Sequence, residues 1–402
     1  MIEAPRPARS VAPSRGRSRR SSREATFGIE EELFVVRIDN GALVHELPAA
    51  LVERWQSRFA GLVGVELLQA QVELRTPICH ELAQAKDALS MLRRGANEEA
   101  VAFGLALLSA GTHPVADWRS VQTDASPRHA QLVDSYRVLA RRNAVCGLHV
   151  HVAIPAGVDR IGVMNRIVPW TPLLLALSAS SPFWRGEDTG LASYRQSAYD
   201  EWPRSGTPPL LADDGAYAAY VARLVASGCI ADPRSIWWTM RPSALYPTLE
   251  LRITDACPEL DDTLSIAALY RCLVRAALAG AAIAFDRDLV EENRWRAKRG
   301  GTAAILLHPL GGEAVTVPDL AEWLLRSLRP HAVALDCEAE LAHVNAICAS
   351  GNAAERQLAV FATARAAGYD AREALRHVVD DLLLRTEGSP SESWHCHGEP
   401  PR

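Results

Sequence analysis

The sequence predicts an α+β fold: a largely antiparallel sheet covered by helices on one face, with the other face left for ligands. Two observations predict it. Strand-like segments fall in the first two thirds of the 402 residues at hairpin-like spacing, mixed with helices, and helical patterns close the chain from Asp261 to about Arg385. Four of the strands carry polar residues at a period of two, so each has one apolar and one charged face. A hydrophobic fraction of 48% is ample for a core.

The first strand is Phe27-Gly28-Ile29-Glu30-Glu31-Glu32-Leu33-Phe34-Val35-Val36. Asn40-Gly41 then marks a hairpin turn. A short helix is expected over Leu51 to Phe59, and a strand or hairpin arm over Gly64 to Thr76, ended by Pro77. The Ala- and Leu-rich stretch from about Glu81 to Ser109 reads as one long helix, broken by Gly111-Thr112-His113-Pro114. A helix over about Pro127 to Arg142 precedes a clear strand, Val145 to Ile154. Asp159 is placed to cap the apolar helix that follows. Ser181 to Pro209 is irregular, and a long polar loop in a compact domain is often functional. A helix over about Gly215 to Ala226 leads to a second strand pair, Ser235–Arg241 and Thr248–Thr254. Gly300-Gly301 and Pro309-Leu310-Gly311-Gly312 interrupt the closing helices.

Residues 1–25 hold seven Arg among Ser and Pro and read as a disordered tail, and 388–402 read as a flexible one. His395-Cys396-His397 within that end resembles a metal tract, but a frayed terminus explains it as well. The net charge of −5 gives no nucleic-acid signature. The longest apolar run, Pro172 to Ser181, is too short to span a bilayer, so no membrane partner is expected. Eight scattered cysteines without a C-x-x-C pair read as reduced, mostly buried side chains of a cytoplasmic protein.

The chemistry lies in the period-two pairs. Glu30 and Glu32 share one face of a strand, and Glu31 points the opposite way. Glu73 and Arg75, His149 and His151, and Glu250 and Arg252 are paired in the same manner, each between apolar neighbours. One such strand alone reads as a solvated edge or a salt bridge of little worth. Four together form a cluster of carboxylates, imidazoles and guanidinium groups. Oxygen-rich donors suit Mg²⁺ or Mn²⁺ better than Zn²⁺. With Glu66 there are five acids, and one Mg²⁺ takes only one or two, so two or more ions are implied. Mg²⁺ clusters mostly serve phosphate chemistry; no P-loop is present, so a nucleotide site would be built on the sheet itself.

Gly28-Ile29-Glu30-Glu31-Glu32, Gln71-Val72-Glu73-Leu74-Arg75-Thr76-Pro77, Cys146-Gly147-Leu148-His149-Val150-His151 and Leu249-Glu250-Leu251-Arg252 resemble the type 2 glutamate–cysteine ligase family, the carboxylate–amine ligases. So do Ala110-Gly111-Thr112-His113-Pro114, Tyr194-Arg195-Gln196, Trp202-Pro203-Arg204-Ser205-Gly206 and Glu292-Asn293-Arg294-Trp295-Arg296-Ala297, all in the family's order over Phe27 to Arg385. The resemblance implies a glutamine synthetase-like fold: a curved, mainly antiparallel sheet whose concave face binds ATP and divalent ions, in a single ligase domain over 26–387. It implies Glu30, Glu32, Glu66, Glu73, His149 and Glu250 as metal ligands, His151 as a nucleotide contact and Arg252 as the group that holds the transferring phosphoryl, with Glu30 and Arg252 essential to catalysis.

The activity implied is ATP-dependent joining of a small carboxylate to an amine through an acyl phosphate. Arg195, Arg204 and Arg241, in or beside the irregular segments, are candidates for a substrate carboxylate. A kinase acting on a guanidino or amine group, a non-catalytic nucleotide or amino-acid sensor, and a metal-dependent hydrolase are the alternatives. A saddle-like sheet with exposed edges makes a homodimer plausible.

Overall fold

The computed structural model describes residues 26–280 and 285–387. The two tails, with His395-Cys396-His397, lie outside the described residues. The strands in chain order are β1 (Phe27–Arg37), β2 (Val63–Val65), β3 (Gln71–Arg75), β4 (Leu105–Leu108), β5 (Leu148–Ala153), β6 (Phe183–Trp184), β7 (Glu187–Asp188), β8 (Met240–Pro242), β9 (Thr248–Leu251), β10 (Ile305–Leu307) and β11 (Ala314–Thr316). Seven of them form the main sheet, ordered β2-β3-β1-β5-β9-β8, with β4 also paired to β1. Every pairing in it is antiparallel. β6–β7 and β10–β11 are separate two-stranded ribbons, the second turning over the Pro309–Gly312 stretch.

The alternation expected for the four strands is present. Phe27, Ile29, Leu148, Val150, Val152, Leu249 and Leu251 are buried in one core with the helices Leu260–Ala279 and Thr171–Ser178. Leu33, Val72, Leu74 and all of β4 are buried in a second core with the helices Ala49–Phe59, Leu82–Val101 and Ala371–Glu387. Removing these side chains from water is the main favourable term of the fold.

Glu31 breaks the apolar rule on the core face, where it is only 1% exposed. It is met by Arg93 of the Leu82–Val101 helix, which donates from Nη2 to Oε1 at 2.6 Å and from Nε to Oε2 at 2.9 Å. Thr263 Oγ1 donates to Oε1 at 2.8 Å, and Arg93 also donates to the carbonyls of Cys257 and Pro258. The pair therefore pins the central strand to two helices.

Several expectations need correction. The helix expected through Ser109 stops at Val101. Gly104 takes φ of 71°, and Leu105–Leu108 become a strand that is buried along its whole length. An apolar run of this kind has no period by which strand and helix can be told apart. Asn40-Gly41 makes a turn, but the segment after it adds only a bridge, Val36–Leu43, and Val35 N turns instead to the carbonyl of Ala70. Asp159 does not cap its own helix. Asp214 accepts from Arg160 N and Ile161 N instead, at 3.2 and 3.1 Å, and Asp159 accepts from Asp214 N at 2.9 Å, a reciprocal cap between two helices. Finally, the apolar run belongs to a longer helical segment, Arg160–Ser178, of 19 residues and mean hydropathy 1.2. It is long and apolar enough to cross a membrane, but 89% of it is buried inside the protein.

Of the cysteines, 79, 146, 257, 272 and 337 are buried and unbridged, while Cys229 is exposed.

Leaving either member of the Glu31–Arg93 pair buried alone should cost about 3–5 kcal/mol. We therefore expect Arg93→Met to lower the urea midpoint markedly, and Arg93→Met with Glu31→Gln to recover part of the loss. Unchanged melting of the single variant would contradict this role.

Candidate active site

The strand registers set the charged face out in rows. Glu30 lies opposite Arg75 on one side and His149 on the other. Glu32 lies opposite Glu73. Glu250 lies between His151 and Arg241. These side chains, with Glu66 from the β2–β3 connection, line a cavity of about 410 Å³. Tyr199, Trp202, Trp237 and Tyr246 complete its walls.

Glu30, His149 and Glu250 each present one donor atom, and these atoms lie within 4.8 Å of one another. Glu30 lies between both imidazoles, with Oε2 at 3.6 Å from His149 Nδ1 and Oε1 at 3.6 Å from His151 Nε2. Burial pushes its pKa up, but the two histidines outweigh it and hold Glu30 below the usual carboxylate range. Neither ring nitrogen of His149 makes a hydrogen bond, although the ring is buried. Burial, with Arg252 nearby, lowers its pKa to about 4, so at neutral pH it offers a lone pair. His151 is oriented by a 3.0 Å contact from Nδ1 to Thr248 Oγ1, which leaves Nε2 facing Glu30 and Glu250.

Glu250 is clamped by two guanidinium groups. Arg241 donates to it from Nε at 2.9 Å and from Nη2 at 3.2 Å, and Arg252 donates from Nη1. Burial raises the Glu250 pKa, and the two arginines more than reverse this. Arg252 is itself held by Tyr199, whose hydroxyl lies 3.0 Å from Nη2.

The other acids are in the opposite condition. Burial pushes up Glu32, Glu66 and Glu73, and mutual repulsion adds to it: Glu32 acts on Glu66, and Glu66 and Glu30 act on Glu73. Glu32 accepts from Gly147 N at 2.6 Å, and Glu73 pairs with Arg75. Buried carboxylates crowded in this way, next to an imidazole whose nitrogens are both unpartnered, are the donor set that a hard divalent cation would complete.

Arg195 enters from beneath. It is 1% exposed, donates to the Arg252 and Ile253 carbonyls, and lies 3.8 Å from Asp255. Gly147 is required there, because a Cβ would sit 2.1 Å from Arg195 Nη2. Asp255 in turn accepts from Ser180 N and from the Ser181 and Ser193 hydroxyls. The Glu292–Ala297 motif acts at one remove: Arg294 pairs with Asp200 and Gln196 and so supports the helix Tyr194–Tyr199.

Ten of the eleven residues singled out in the sequence, namely Glu30, Glu32, Glu66, Glu73, His149, His151, Arg195, Arg241, Glu250 and Arg252, line this one cavity. Arg204 does not. Its Nε donates to Ser235 O at 2.9 Å and its Nη2 to Tyr136 Oη at 2.7 Å, so it braces the wall behind Trp237. Arg241 lines the cavity, but Nε and Nη2 go to Glu250 and Nη1 donates to the Arg234 and Ile236 carbonyls. A substrate carboxylate would have to displace Glu250 to grip it with both prongs. Arg75, set on the charged face by its period-two pairing with Glu73, also lines the cavity, whereas Tyr199 and Asp255 sit in helical or irregular segments that give no such signal.

Glu250 and Glu73 should respond oppositely to neutralisation in metal-free buffer. Glu250→Gln leaves two buried guanidinium groups without their counter-ion and should cost about 3 kcal/mol or more. Glu73→Gln relieves repulsion and should preserve or raise the melting temperature. Equal losses in both variants would contradict this electrostatic picture.

Residues 26–381 match the model of glutamate-cysteine ligase family 2 (GCS2). A relative named "Putative glutamate--cysteine ligase 2" from Ectopseudomonas mendocina (strain ymp) is 42% identical over 376 residues, 92% of this chain and 99% of its own. One of the same name from Rhodospirillum rubrum is 42% identical over 370 residues, 90% and 95% of the two chains. Among solved structures, a glutamate–cysteine ligase from Francisella tularensis in complex with AMP superposes with TM-score 0.65 at 15% identity, covering 90% of this chain and 89% of that one. A bifunctional glutathione synthetase from Pasteurella multocida gives 0.66 at 17% identity, covering 91% and 53%. At those identities the likeness shows the fold, the glutamine synthetase-like α+β architecture expected from the sequence. By its sequence match along nearly its whole length, the chain belongs to glutamate-cysteine ligase family 2.

Proposed function

We propose that the cavity carries out ATP-dependent ligation of a glutamate-type carboxylate to an amine. The observation that carries this reading is the pairing of Glu30, His149 and Glu250 around one point with Arg252 beside them. The relatives' names and the AMP held by the Francisella tularensis ligase support it.

The substrate carboxylate attacks the γ-phosphorus of ATP, giving an acyl phosphate and ADP. The amine nitrogen then attacks the acyl carbon, the C–O bond to phosphate breaks, and phosphate leaves with the electron pair. A divalent cation, Mg²⁺ or Mn²⁺, would be held by Glu30, His149 and Glu250, with Glu32, Glu66 and Glu73 for a second, and would neutralise phosphate charge. Arg252 stabilises the charge that develops on the transferring group, and Tyr199 keeps its guanidinium aimed. Arg241 and Arg195 hold Glu250 and the floor of the site in place. His151, oriented by Thr248, meets the nucleotide.

The scheme uses no protein nucleophile. Cys146, beneath the site, fits this: it is fully buried, and burial with the charge of Glu32 pushes its thiol well above the usual range. It stays protonated and inert.

Arg252→Ala and Glu30→Ala should each lower carboxylate-dependent ADP release by about 10²-fold or more while the circular dichroism stays native. The product of the wild-type protein should have the summed mass of carboxylate and amine less one water. A product that instead gains a phosphate would replace the ligase by a kinase, and a fully active Arg252→Ala protein would remove Arg252 from the scheme.

A further inference from the structure

A second cavity of about 360 Å³ lies behind Trp237 and has no role in the scheme above. Arg128, Leu132, Arg234 and Trp237 line both cavities, so the two adjoin across a shared wall. The second is built from the Pro127–Tyr136 helix and the 228–237 loop, with Leu132, Tyr136, Ile230 and Trp237 as its apolar surface. None of its lining comes from β5 or β9, where His151 and Thr248 stand. Its charges are unequal. Arg234 is already neutralised by Asp232, through contacts of 2.6 and 3.0 Å. Arg128 makes no ion pair with any other described residue, although its charge reaches Asp232 and helps to lower that group's pKa. The cavity thus has an apolar and aromatic patch set among the polar side chains of Gln131, Ser135, Asp232 and Ser235, with one guanidinium free of ion pairs, Arg128, on the wall it shares with the reaction cavity.

We propose that the second cavity receives the side chain of the amine substrate, and that this substrate is an α-amino acid bulkier than cysteine, with an apolar or aromatic side chain. This rests on the ligase reading. The amino acid's carboxylate pairs with Arg128, its side chain packs against Leu132, Tyr136 and Ile230, and its amine is left in the reaction cavity. There the amine attacks the acyl carbon, the bond to phosphate breaks, and the amine gives up its proton to solvent. A thiol-bearing side chain of three heavy atoms or fewer would leave most of the chamber to water.

The test separates this inference from the reading beneath it. Hydroxylamine is small enough to take the amine's place without entering the second cavity. Wild-type protein with ATP, Mg²⁺, L-glutamate and hydroxylamine should form the hydroxamate; no hydroxamate would overturn the ligase reading itself. With that activity in hand, L-leucine or L-phenylalanine should be used with a kcat/KM about tenfold or more above that of L-cysteine. Ser135→Trp fills the chamber from the exposed face of its helix, and Ala231→Trp does so from the loop opposite. A variant that keeps the wild-type melting profile should raise the KM for the amino acid about tenfold or more and leave hydroxamate synthesis within about twofold. Preference for L-cysteine, an amino-acid KM unmoved in both variants, or a rise confined to the KM for ATP would each overturn the proposal, the last by giving the chamber to the nucleoside.

Discussion

Glu31 is the point on which the sheet and its charged face both depend. It is buried on the core side of β1 and gripped by both prongs of Arg93. A strand gives successive side chains to opposite faces, so fixing Glu31 backward fixes Glu30 and Glu32 forward. A slip of one residue would bury the two front acids among leucines and expose Leu33. Because β1 is central, pairing with β3, β4 and β5, its register is passed to Glu73, Arg75, His149 and, through β5, to Glu250. Arg93 touches nothing in the cavity, yet it holds the strand from which the cavity is measured.

The charged face that results is divided into two electrostatic regions. Around Glu250, carboxylate and guanidinium charge balance, and the acid is held ionised by Arg252 and Arg241. Around Glu32, Glu66 and Glu73, negative charge is in excess and burial makes it costly. His149 stands between with both nitrogens open. A site so arranged is strained by its own charge and relaxed by a cation, which is the condition that phosphate chemistry requires. The arginines beneath and beside it, Arg195 and Arg241, maintain that charge pattern by turning most of their donors onto the protein.

What the sequence reveals follows from what has a period. The E-x-E, E-x-R and H-x-H pairs set eight cavity residues at positions read directly from alternation, and the same rule turns Glu31 away from them. Leu105–Leu108 has no period, being buried on every side, and was read as the end of a helix. Asp159 and Asp214 exchanged caps because both helix starts meet in space, a fact of tertiary packing alone. Arg204 and Arg241 looked available because a linear sequence shows no acceptors; Tyr136, Ser235 and Glu250 reach them from distant or opposite strands and loops. Arg93 was hidden on a helix whose other residues gave an ordinary amphipathic pattern.

The central claim is that the charged face is a divalent-cation site, and Mn²⁺ titration followed by electron paramagnetic resonance tests it most directly. Wild-type protein should suppress the free Mn²⁺ signal as metal is added, and His149→Ala should return much of that signal while keeping the native fold. Free Mn²⁺ at full intensity in the presence of excess wild-type protein and ATP-free buffer would contradict the account.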